Sequence, residues 1–192
     1  MDNQSTTADD ILRCARTLVV KGGYNSFSYA DISAVVGIRK ASIHHHFPTK
    51  SDLVRTVVAQ YRKEAEAGIA ELDQHVPDPL DQLRAYVGYW EACFTDLSHP
   101  FCVCALLASE IPVLPENVAL EVRAHFRKLS EWLASVLERG AAQGRFVLLG
   151  TAKESAEMFM ATVHGAMLSA RAYDDAAAFG VIARPLLERI TT

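Results

Sequence analysis

A short run of polar side chains after Gly37 has the chemistry to contact nucleic acid. Its hydrogen-bond donors are Arg39, Lys40, Ser42, His44 and His45. Such groups suit phosphate oxygens and the edges of guanine and adenine in a DNA major groove. Ile43 and Phe47 lie four positions apart and would turn the opposite face of a helix toward a core. Spacing and charge alone fit a DNA-reading helix and an ordinary helical corner with a solvated basic face equally well.

Three consecutive histidines, residues 44–46, raise the question of a metal site. Successive residues of a helix point about 100° apart, so the three imidazoles cannot converge on one ion unless the helix unwinds. We therefore expect no metal there, and nothing in the sequence indicates a cofactor. His46 is expected to pack at the junction with the rest of the chain.

The elements that position these residues are all predicted to be helices. Apolar residues recur at helical spacing, and no window keeps the alternation of a strand over a useful length. The expected helices cover about residues 7–20, 28–36, 39–47, 49–72, an aromatic-rich stretch after Pro79, 101–110, 118–143, 151–172 and 175–190. Thr7, Ser28 and Thr49 are expected to cap the helices that follow them. The two short helices joined through Gly37 form a helix-turn-helix, whose second helix would lie in a major groove.

Composition limits the class of protein. Of the 192 residues, 50% are hydrophobic and 22% are charged, which is enough apolar material for a folded core and excludes a disordered chain. No stretch approaches the roughly 20 apolar residues of a membrane span. The N-terminal residues 1–7 are polar and acidic, unlike a signal peptide. We expect a cytoplasmic protein with no membrane partner.

Charge is divided unevenly along the chain. Residues 1–63 carry nine basic and five acidic side chains, whereas the remainder carries ten basic and eighteen acidic ones. The N-terminal part therefore has a net charge of +4 and the remainder −8. This division suggests that the N-terminal part meets a polyanion and that the rest of the chain does not.

The N-terminal sequence resembles the signature of TetR-type (TetR/AcrR) transcriptional regulators. The resemblance covers about residues 7–61 and is most specific at residues 45–53, which read HHFPTKSDL. It implies an all-α fold, with a three-helix helix-turn-helix DNA-binding domain at residues 7–53 and a larger ligand-sensing and dimerisation domain at residues 54–192. The implied function is a ligand-responsive repressor that binds a palindromic operator as a dimer and is released by a small molecule.

The same resemblance assigns DNA contacts. It implies that the third helix of this chain contacts bases through Arg39, Lys40 and Ser42. The residues expected to touch phosphates are Ser28, Tyr29, His44, His45 and Lys50. Two positions depart from the family pattern, because Arg39 replaces a small capping residue and His44 replaces a frequent tyrosine. Since Arg39 adds a long donor, the operator sequence cannot be taken over from relatives, and the reading helix is expected to be less well capped.

The C-terminal region implies a site for a small molecule. Bulky apolar side chains with a few polar tips suit an apolar or aromatic ligand. The candidate ligand-binding residues are Tyr86, Tyr89, Trp90, Cys93, Phe94, Phe101, Cys102, Leu107, Met160 and His164. The alternative is that these side chains only fill the core of the helical bundle.

A homodimer is expected from the resemblance, because family members form a four-helix interface from two long helices, here residues 118–143 and 151–172. The small residues expected at this interface are Ala161, Gly165, Ala166, Ser169 and Ala170. A surface packed inside one subunit would look the same. A symmetric pair of reading helices would match a palindrome.

The cysteines allow other functions. Some similar regulators sense electrophiles or oxidants through a cysteine near the position of Cys102 or Cys104. A reactive thiol needs a nearby cation or a helix N-terminus, and His99 is the potential cation nearby. Buried, inert thiols are the favoured interpretation. A thiol enzyme lacks a nucleophile motif and is not expected, and an N-terminal module that binds protein instead of DNA is the remaining alternative.

Overall fold

The computed structural model describes residues 6–95 and 101–191. These residues form helices, with one isolated bridge between Phe146 and Thr191 and no strand within the described ranges. The helices are α1 (Thr7–Gly22), α2 (Tyr29–Val36), α3 (Lys40–His46), α4 (Lys50–His75), α5 (Pro79–Thr95), α6 (Val103–Ala108), α7 (Glu116–Ala142), α8 (Ala152–Tyr173) and α9 (Ala177–Ile190). Two 3₁₀ turns lie at Tyr24–Ser26 and Ile111–Val113. The predicted all-α fold is confirmed.

Capping residues explain where the N-terminal helices begin. Ser28 and Asp31 form a capping box at α2, as the sequence predicts. At α1 the capping residue is Thr6, paired with Asp9, so the prediction of Thr7 is wrong by one position. The reason is geometric, because the cap must be the extended residue immediately before the first helical turn, and Thr7 is already helical.

The later helices begin in a similar way. Thr49 accepts a hydrogen bond from the backbone N–H of Asp52 at 3.1 Å and therefore caps α4, as predicted. Thr151 and Glu154 form a capping box at α8. Pro185 lies inside α9, which begins eight residues before it.

The chain divides into two compact units, each with its own core. Unit 1 comprises Met1–Ala65 and Cys102–His125, and unit 2 comprises Glu66–Phe101 and Phe126–Thr192. Fully buried residues of unit 1 include Ile11, Ile32, Ile43, Leu53, Leu107 and Val118. Those of unit 2 include Leu83, Leu133, Leu137, Phe159, Met167 and Phe179. The unit boundaries fall within α4 and near residues 101 and 125, and a functional division after residue 53 stays a prediction.

Within the two described ranges, none of the helices is both long enough and apolar enough to cross a membrane.

Candidate nucleic-acid interface

The turn between α2 and α3 depends on Gly37. This residue adopts a left-handed conformation with φ 75° and ψ 27°, and its N–H donates to the Ser33 carbonyl oxygen. Among the described residues, no atom would lie within 4 Å of a Cβ added at Gly37, so backbone conformation alone favours glycine here. The Ser33 hydroxyl donates to the Ile38 carbonyl oxygen at 2.6 Å and closes the turn. The predicted helix-turn-helix is therefore present in unit 1.

Helix α3 begins without a side-chain cap. Arg39 occupies the N-cap position in an extended conformation, and its side chain makes no capping hydrogen bond to any described residue. Both Arg39 and Lys40 are exposed, and Ser42 is partly exposed. Ile43 and Phe47 are buried, as predicted. Two cationic side chains therefore lie exposed at the start of this helix, where a recognition helix contacts base edges.

Lys50 opens α4 and is held against the protein. Its ammonium donates to the Phe27 carbonyl oxygen. The Nζ atom also lies 4.3 Å from the ring centroid of Phe27 and 4.9 Å from that of Tyr24. Burial lowers the pKa of Lys50, and the carboxylates of Asp31 and Glu110 oppose this shift. Lys50 therefore presents a positive charge whose position is set by the segment before α2.

The two residues that begin α2 differ in exposure. Ser28 is exposed and donates its hydroxyl to Asp31 at 2.8 Å. Tyr29 is buried, and its hydroxyl donates to the Phe47 carbonyl oxygen at 2.8 Å. Burial raises the pKa of Tyr29 to about 12. The expected phosphate contact through the Tyr29 side chain is therefore corrected: the hydroxyl serves the fold because α3 ends directly beside it.

The three histidines of α3 are exposed. The Nδ1 atom of His44 lies 3.2 Å from the Pro48 carbonyl oxygen, which can only accept, so this nitrogen donates. Its Nε2 then donates to a phosphate only when the ring is cationic. The His46 ring contacts the rings of His45 and Phe47, with centroids 5.6 and 6.5 Å away. The expectation that His46 packs at a junction is wrong, because its place on the last turn of α3 leaves it exposed.

Several of the residues predicted to contact DNA also contact one another or the residue beside them. Phe27, which precedes Ser28, receives the Lys50 ammonium. The rings of Tyr29 and His44 meet edge to face, with centroids 4.7 Å apart. The predicted contacts that remain accessible, fully or in part, are Ser28, Arg39, Lys40, Ser42, His44, His45 and Lys50. Sequence reasoning missed Phe27, although an apolar residue just before a capping box is a recognisable pattern.

The predicted ligand-binding residues are divided between the two units. Cys102 and Leu107 are fully buried in unit 1, whereas the other eight belong to unit 2. Tyr89 is 57% exposed. The spacing along the sequence could not show this separation, because the division between the units falls between Phe101 and Cys102.

Aromatic packing dominates the predicted residues of unit 2. Tyr86 meets Trp132 with ring centroids 5.5 Å apart. Phe94 stacks on Phe179 at 5.4 Å and meets the edge of Phe101 at 6.3 Å. These contacts fill a core, and they agree with the alternative that the bulky side chains are structural.

Trp90 and His164 of unit 2 each carry a buried polar atom that apolar core packing does not explain. Trp90 Nε1 and His164 Nε2 are inaccessible and have no hydrogen-bond partner in the described part of the chain. Burial lowers the pKa of His164 to about 4, so its imidazole is neutral at pH 7. Its ring lies 5.1 Å from that of Phe126. Met160 and Cys93 are also buried. Unpaired buried polar atoms are costly and are expected at sites that bind something else.

A separate cavity of about 380 Å³ lies in unit 2. It is lined by the end of α7, residues 147–149, and facing parts of α8 and α9. Its lining is mostly apolar and includes the buried Ser155 Oγ, which has no hydrogen-bond partner among the described residues, as well as Arg189. None of the predicted ligand-binding residues lines this cavity.

The predicted dimer residues are also divided. Ala161 is exposed, and Gly165 and Ser169 are partly exposed. Ala166 and Ala170 are buried inside the chain, so their assignment to an interface is corrected: small residues on two adjacent faces of one helix suit internal packing as well. Sequence reasoning missed the large exposed apolar residues of α8 and α9 as an interface, which are Met158, Leu168, Tyr173 and Val181.

Among the described residues no cysteine forms a disulfide, and all four cysteines are buried. Cys102 is the N-cap of α6, and its Sγ accepts a hydrogen bond from the Ala105 N–H at 3.3 Å. Burial nevertheless raises the pKa of Cys102 and raises that of Cys104 well above its ordinary value. Both groups are therefore thiols rather than thiolates at neutral pH, which disfavours a reactive cysteine. His99 lies outside the described residues.

The chain matches known proteins along most of its length. Residues 11–57 match a family model described as bacterial regulatory proteins, tetR family, and residues 79–186 match a tetracyclin repressor-like C-terminal domain. The HTH-type transcriptional repressor KstR2 of Mycolicibacterium smegmatis is 25% identical over 142 residues, which are 72% of this chain and 66% of that repressor. The chain thus spans slightly less than two thirds of that relative's length.

Two solved structures are similar over nearly the whole chain. A TetR-family transcriptional regulator from Agrobacterium tumefaciens is 76% identical, with a TM-score of 0.94, and the match covers 96% of this chain and 97% of that one. A TetR transcriptional regulator from Legionella pneumophila is 26% identical, with a TM-score of 0.88 and coverage of 98% and 100%. By its two family matches and its fold, the chain belongs to the TetR family of bacterial transcriptional regulators.

Proposed function

We propose that the protein is a ligand-responsive repressor. Two copies bind a palindromic operator through α3, and a small apolar or aromatic molecule that binds the C-terminal region releases them. The observations that carry this proposal are the exposed cationic start of α3, where the Arg39 side chain has no capping role, and a Lys50 ammonium held at the start of α4.

The DNA contacts divide into two classes. Arg39, Lys40 and Ser42 lie in the first turn of α3 and can reach base edges, and arginine pairs bidentately with guanine. Ser28, His44, His45 and Lys50 surround this turn and suit phosphate oxygens, which fix the register of the protein on the duplex. A seven-residue helix contacts few base pairs, so one copy would bind with little sequence discrimination.

A homodimer would supply the second reading helix. The exposed side chains of Met158, Leu168 and Val181 give α8 and α9 an apolar surface, and Val181 is 73% exposed. Ala161 and Gly165 would let a second helix approach closely. A twofold dimer places two copies of α3 with the symmetry of a palindromic operator.

Ligand binding is supported by the unpaired polar atoms of unit 2. Trp90 Nε1 is a donor, and the neutral His164 ring offers one donor and one acceptor nitrogen. A ligand with an apolar body and a hydrogen-bonding group would satisfy them. If the ligand binds one conformer about 100-fold better than the other, it biases the equilibrium by about 2.7 kcal/mol, which is enough for regulation without any chemical reaction.

The decisive experiment selects bound sequences from random DNA duplexes. The expected product is a palindrome, which would establish both sequence-specific binding and twofold symmetry. Arg39→Ala should relax the preference at one base position by roughly 1–3 kcal/mol. Lys50→Ala should weaken operator and random DNA alike and reduce the dependence of affinity on salt. Arg127→Ala, an exposed charge change in unit 2, serves as the control.

Two outcomes would contradict the proposal. If neither Arg39→Ala nor Lys50→Ala changes DNA binding in a gel-shift titration, α3 is not the reading helix. Phosphate contacts release counterions, so binding to DNA weakens as the salt concentration rises. If the affinity of the chain for its binding partner does not change with salt concentration, the basic residues of α3 bind a protein rather than DNA.

A thermal-shift screen of small molecules addresses the ligand. A compound at 100 times its dissociation constant should stabilise the fold by about 2.7 kcal/mol. The same compound should lower operator affinity in a gel shift, and His164→Leu should reduce its effect. A stabilising compound that leaves operator affinity unchanged would contradict the release mechanism.

A further inference from the structure

A carboxylate distant in sequence holds the link between α1 and α2. Glu110 follows α6, and its Oε2 accepts a hydrogen bond from the Tyr24 backbone N–H at 2.9 Å. Tyr24 begins the 3₁₀ turn that connects the two helices, so this N–H has no acceptor within its own helix. The two residues are 86 positions apart, and both belong to unit 1.

The same carboxylate packs against Gly23. A Cβ added at Gly23 would lie 1.8 Å from Glu110 Oε1, far inside van der Waals contact. Gly23 also has a φ of 84°, a conformation that residues with a Cβ avoid. The backbone therefore favours glycine at this position, and a Cβ here would displace the Glu110 carboxylate from its present place.

The link held by Glu110 leads directly to predicted DNA contacts. Residues 24–26 form the turn, and the next residue, Phe27, receives the Lys50 ammonium through its carbonyl oxygen. The Tyr24 ring lies under the same ammonium. Ser28, which caps α2, follows Phe27. One end of this six-residue link is therefore bonded to Glu110, and the other end positions Ser28 and Lys50.

Glu110 itself is fixed by its own surroundings. Its backbone N–H donates to the Leu107 carbonyl oxygen at 3.0 Å, so it is tied to the last turn of α6. Its carbonyl oxygen accepts from Val113 at 2.9 Å and from Leu114 at 3.1 Å. Leu107 is fully buried. A displacement of α6 would consequently move the Glu110 carboxylate relative to Tyr24.

We propose that Glu110 is the positioning residue through which α6 sets the placement of residues 23–28 and of Lys50 for DNA. Without this carboxylate, Tyr24 loses its acceptor and the phosphate-contacting edge loses its fixed geometry. This role rests on the proposed DNA-binding function and adds to it a specific connection from α6 to the DNA-facing edge.

The test compares three variants of the full-length chain. Glu110→Ala removes the acceptor, and Glu110→Gln keeps a side-chain oxygen that can accept from Tyr24. Glu116→Ala is the control, because it removes an exposed carboxylate of the same unit. In the described residues, the salt bridge of Glu116 is with Arg123. Amide hydrogen exchange at Tyr24 reports the local bond. Affinity for the selected operator, measured by fluorescence anisotropy, reports the function.

The expected results separate the local bond from general stability. Glu110→Ala should speed exchange at Tyr24 roughly tenfold and weaken operator binding about tenfold, while exchange in the buried part of α4 stays unchanged. Glu110→Gln should restore most of both properties, and Glu116→Ala should change neither. Glu110→Gln also keeps the test usable if Glu110→Ala does not fold.

Three results would overturn the inference. The first is unchanged exchange at Tyr24 in Glu110→Ala, the second is faster exchange with unchanged operator affinity, and the third is an equal effect of Glu116→Ala. Failure of the wild-type chain to select any DNA sequence would instead reject the proposed function, and the exchange measurement would still decide whether Glu110 holds Tyr24.

Discussion

The two units treat their buried polar groups differently. In unit 1, polar groups from distant segments are paired: the Tyr29 hydroxyl with the Phe47 carbonyl at 2.8 Å, and the Tyr24 N–H with Glu110 at 2.9 Å. In unit 2, Trp90 Nε1 and His164 Nε2 have no partner in the described ranges. Paired networks specify one geometry, whereas unpaired buried groups keep bonding capacity for another molecule.

The contrast is not absolute. In unit 2, the Gln82 side chain donates to Asp73 at 3.0 Å and to the Val76 carbonyl oxygen at 2.7 Å. In unit 1, Arg16 Nε is buried without a partner among the described residues, although another nitrogen of the same guanidinium bonds Glu64 at 2.7 Å. The difference is therefore one of location: the two pairs of unit 1 involve residues next to the proposed DNA contacts, and the unpaired atoms of unit 2 lie on α5 and α8.

Apolar packing should dominate the stability of unit 2. Phe179 is fully buried and stacks on Phe94. Phe179→Ala should lower the free energy of unfolding by about 3–5 kcal/mol, because it removes buried area and leaves a cavity. Urea unfolding at fixed protein concentration measures the effect. Glu188→Ala, at an exposed position of the same helix, is the control, and a loss below about 1 kcal/mol for Phe179→Ala would contradict the assigned core.

The unpaired histidine of unit 2 should make stability depend on pH. His164 has a pKa of about 4 in the folded chain, whereas an unfolded histidine has a pKa of 6.5. The unfolded state therefore binds more protons between these values, so His164 lowers stability as pH falls from about 6.5 to 4 and has no effect above 6.5. At pH 4.5 the loss should be roughly 2 kcal/mol.

The measurement is urea unfolding of the wild-type chain and His164→Gln at pH 7 and pH 4.5. The variant should lose less stability than the wild-type chain on acidification. His75→Gln changes an exposed histidine of the same unit and should behave like the wild-type chain. If the stability of His164→Gln and that of the wild-type chain depend equally on pH, the unpaired histidine does not distinguish unit 2 from unit 1.

The close approach in unit 1 can be separated from backbone strain by placing Gly23→Ala in two backgrounds. In the wild-type chain the added Cβ meets both the positive φ and the Glu110 carboxylate, whereas in Glu110→Ala it meets only the positive φ. Gly23→Ala should therefore cost about 1–2 kcal/mol more in the wild-type chain, because the hydrogen bond to Tyr24 is lost as well. Thermal unfolding measures both losses, and equal losses would mean that the Glu110 contact adds nothing.

The smallest expected effect concerns one hydrogen bond of unit 1. Tyr29→Phe leaves the Phe47 carbonyl oxygen without its donor and should cost about 1 kcal/mol. Tyr89→Phe removes a hydroxyl from an exposed side chain of unit 2 and should have a smaller effect. Chemical denaturation of both variants tests whether polar hydrogen bonds contribute more to stability in unit 1 than in unit 2.

Local patterns predicted the fold well, because helical periodicity and capping depend on residues three or four positions apart. The capping box of Ser28, the turn at Gly37 and the inward side chains of Ile43 and Phe47 all follow from such short spacings. The error at Thr7 shows the limit of this reasoning, since two adjacent threonines differ only in backbone conformation.

The candidate site was predicted less completely, because several of its contacts connect distant segments. The exposure of Arg39 and Lys40 follows from their place on α3. The inward turn of Tyr29 depends on where α3 ends, and the contact of Glu110 with Tyr24 spans 86 positions. Small residues on α8 were ambiguous for a different reason, since Ala161 and Ala166 have the same side chain and opposite exposure.

Arg39 is the N-cap residue of α3, but its side chain makes no capping hydrogen bond to the described residues. Because no capping bond depends on it, a change to another residue type should leave the helix intact, and serine or asparagine should add about 1 kcal/mol of stability. A gene duplicate could therefore acquire a new operator preference by a single substitution here without first losing its folded structure. Divergence of DNA targets among copies of this regulator would be expected to begin at this residue.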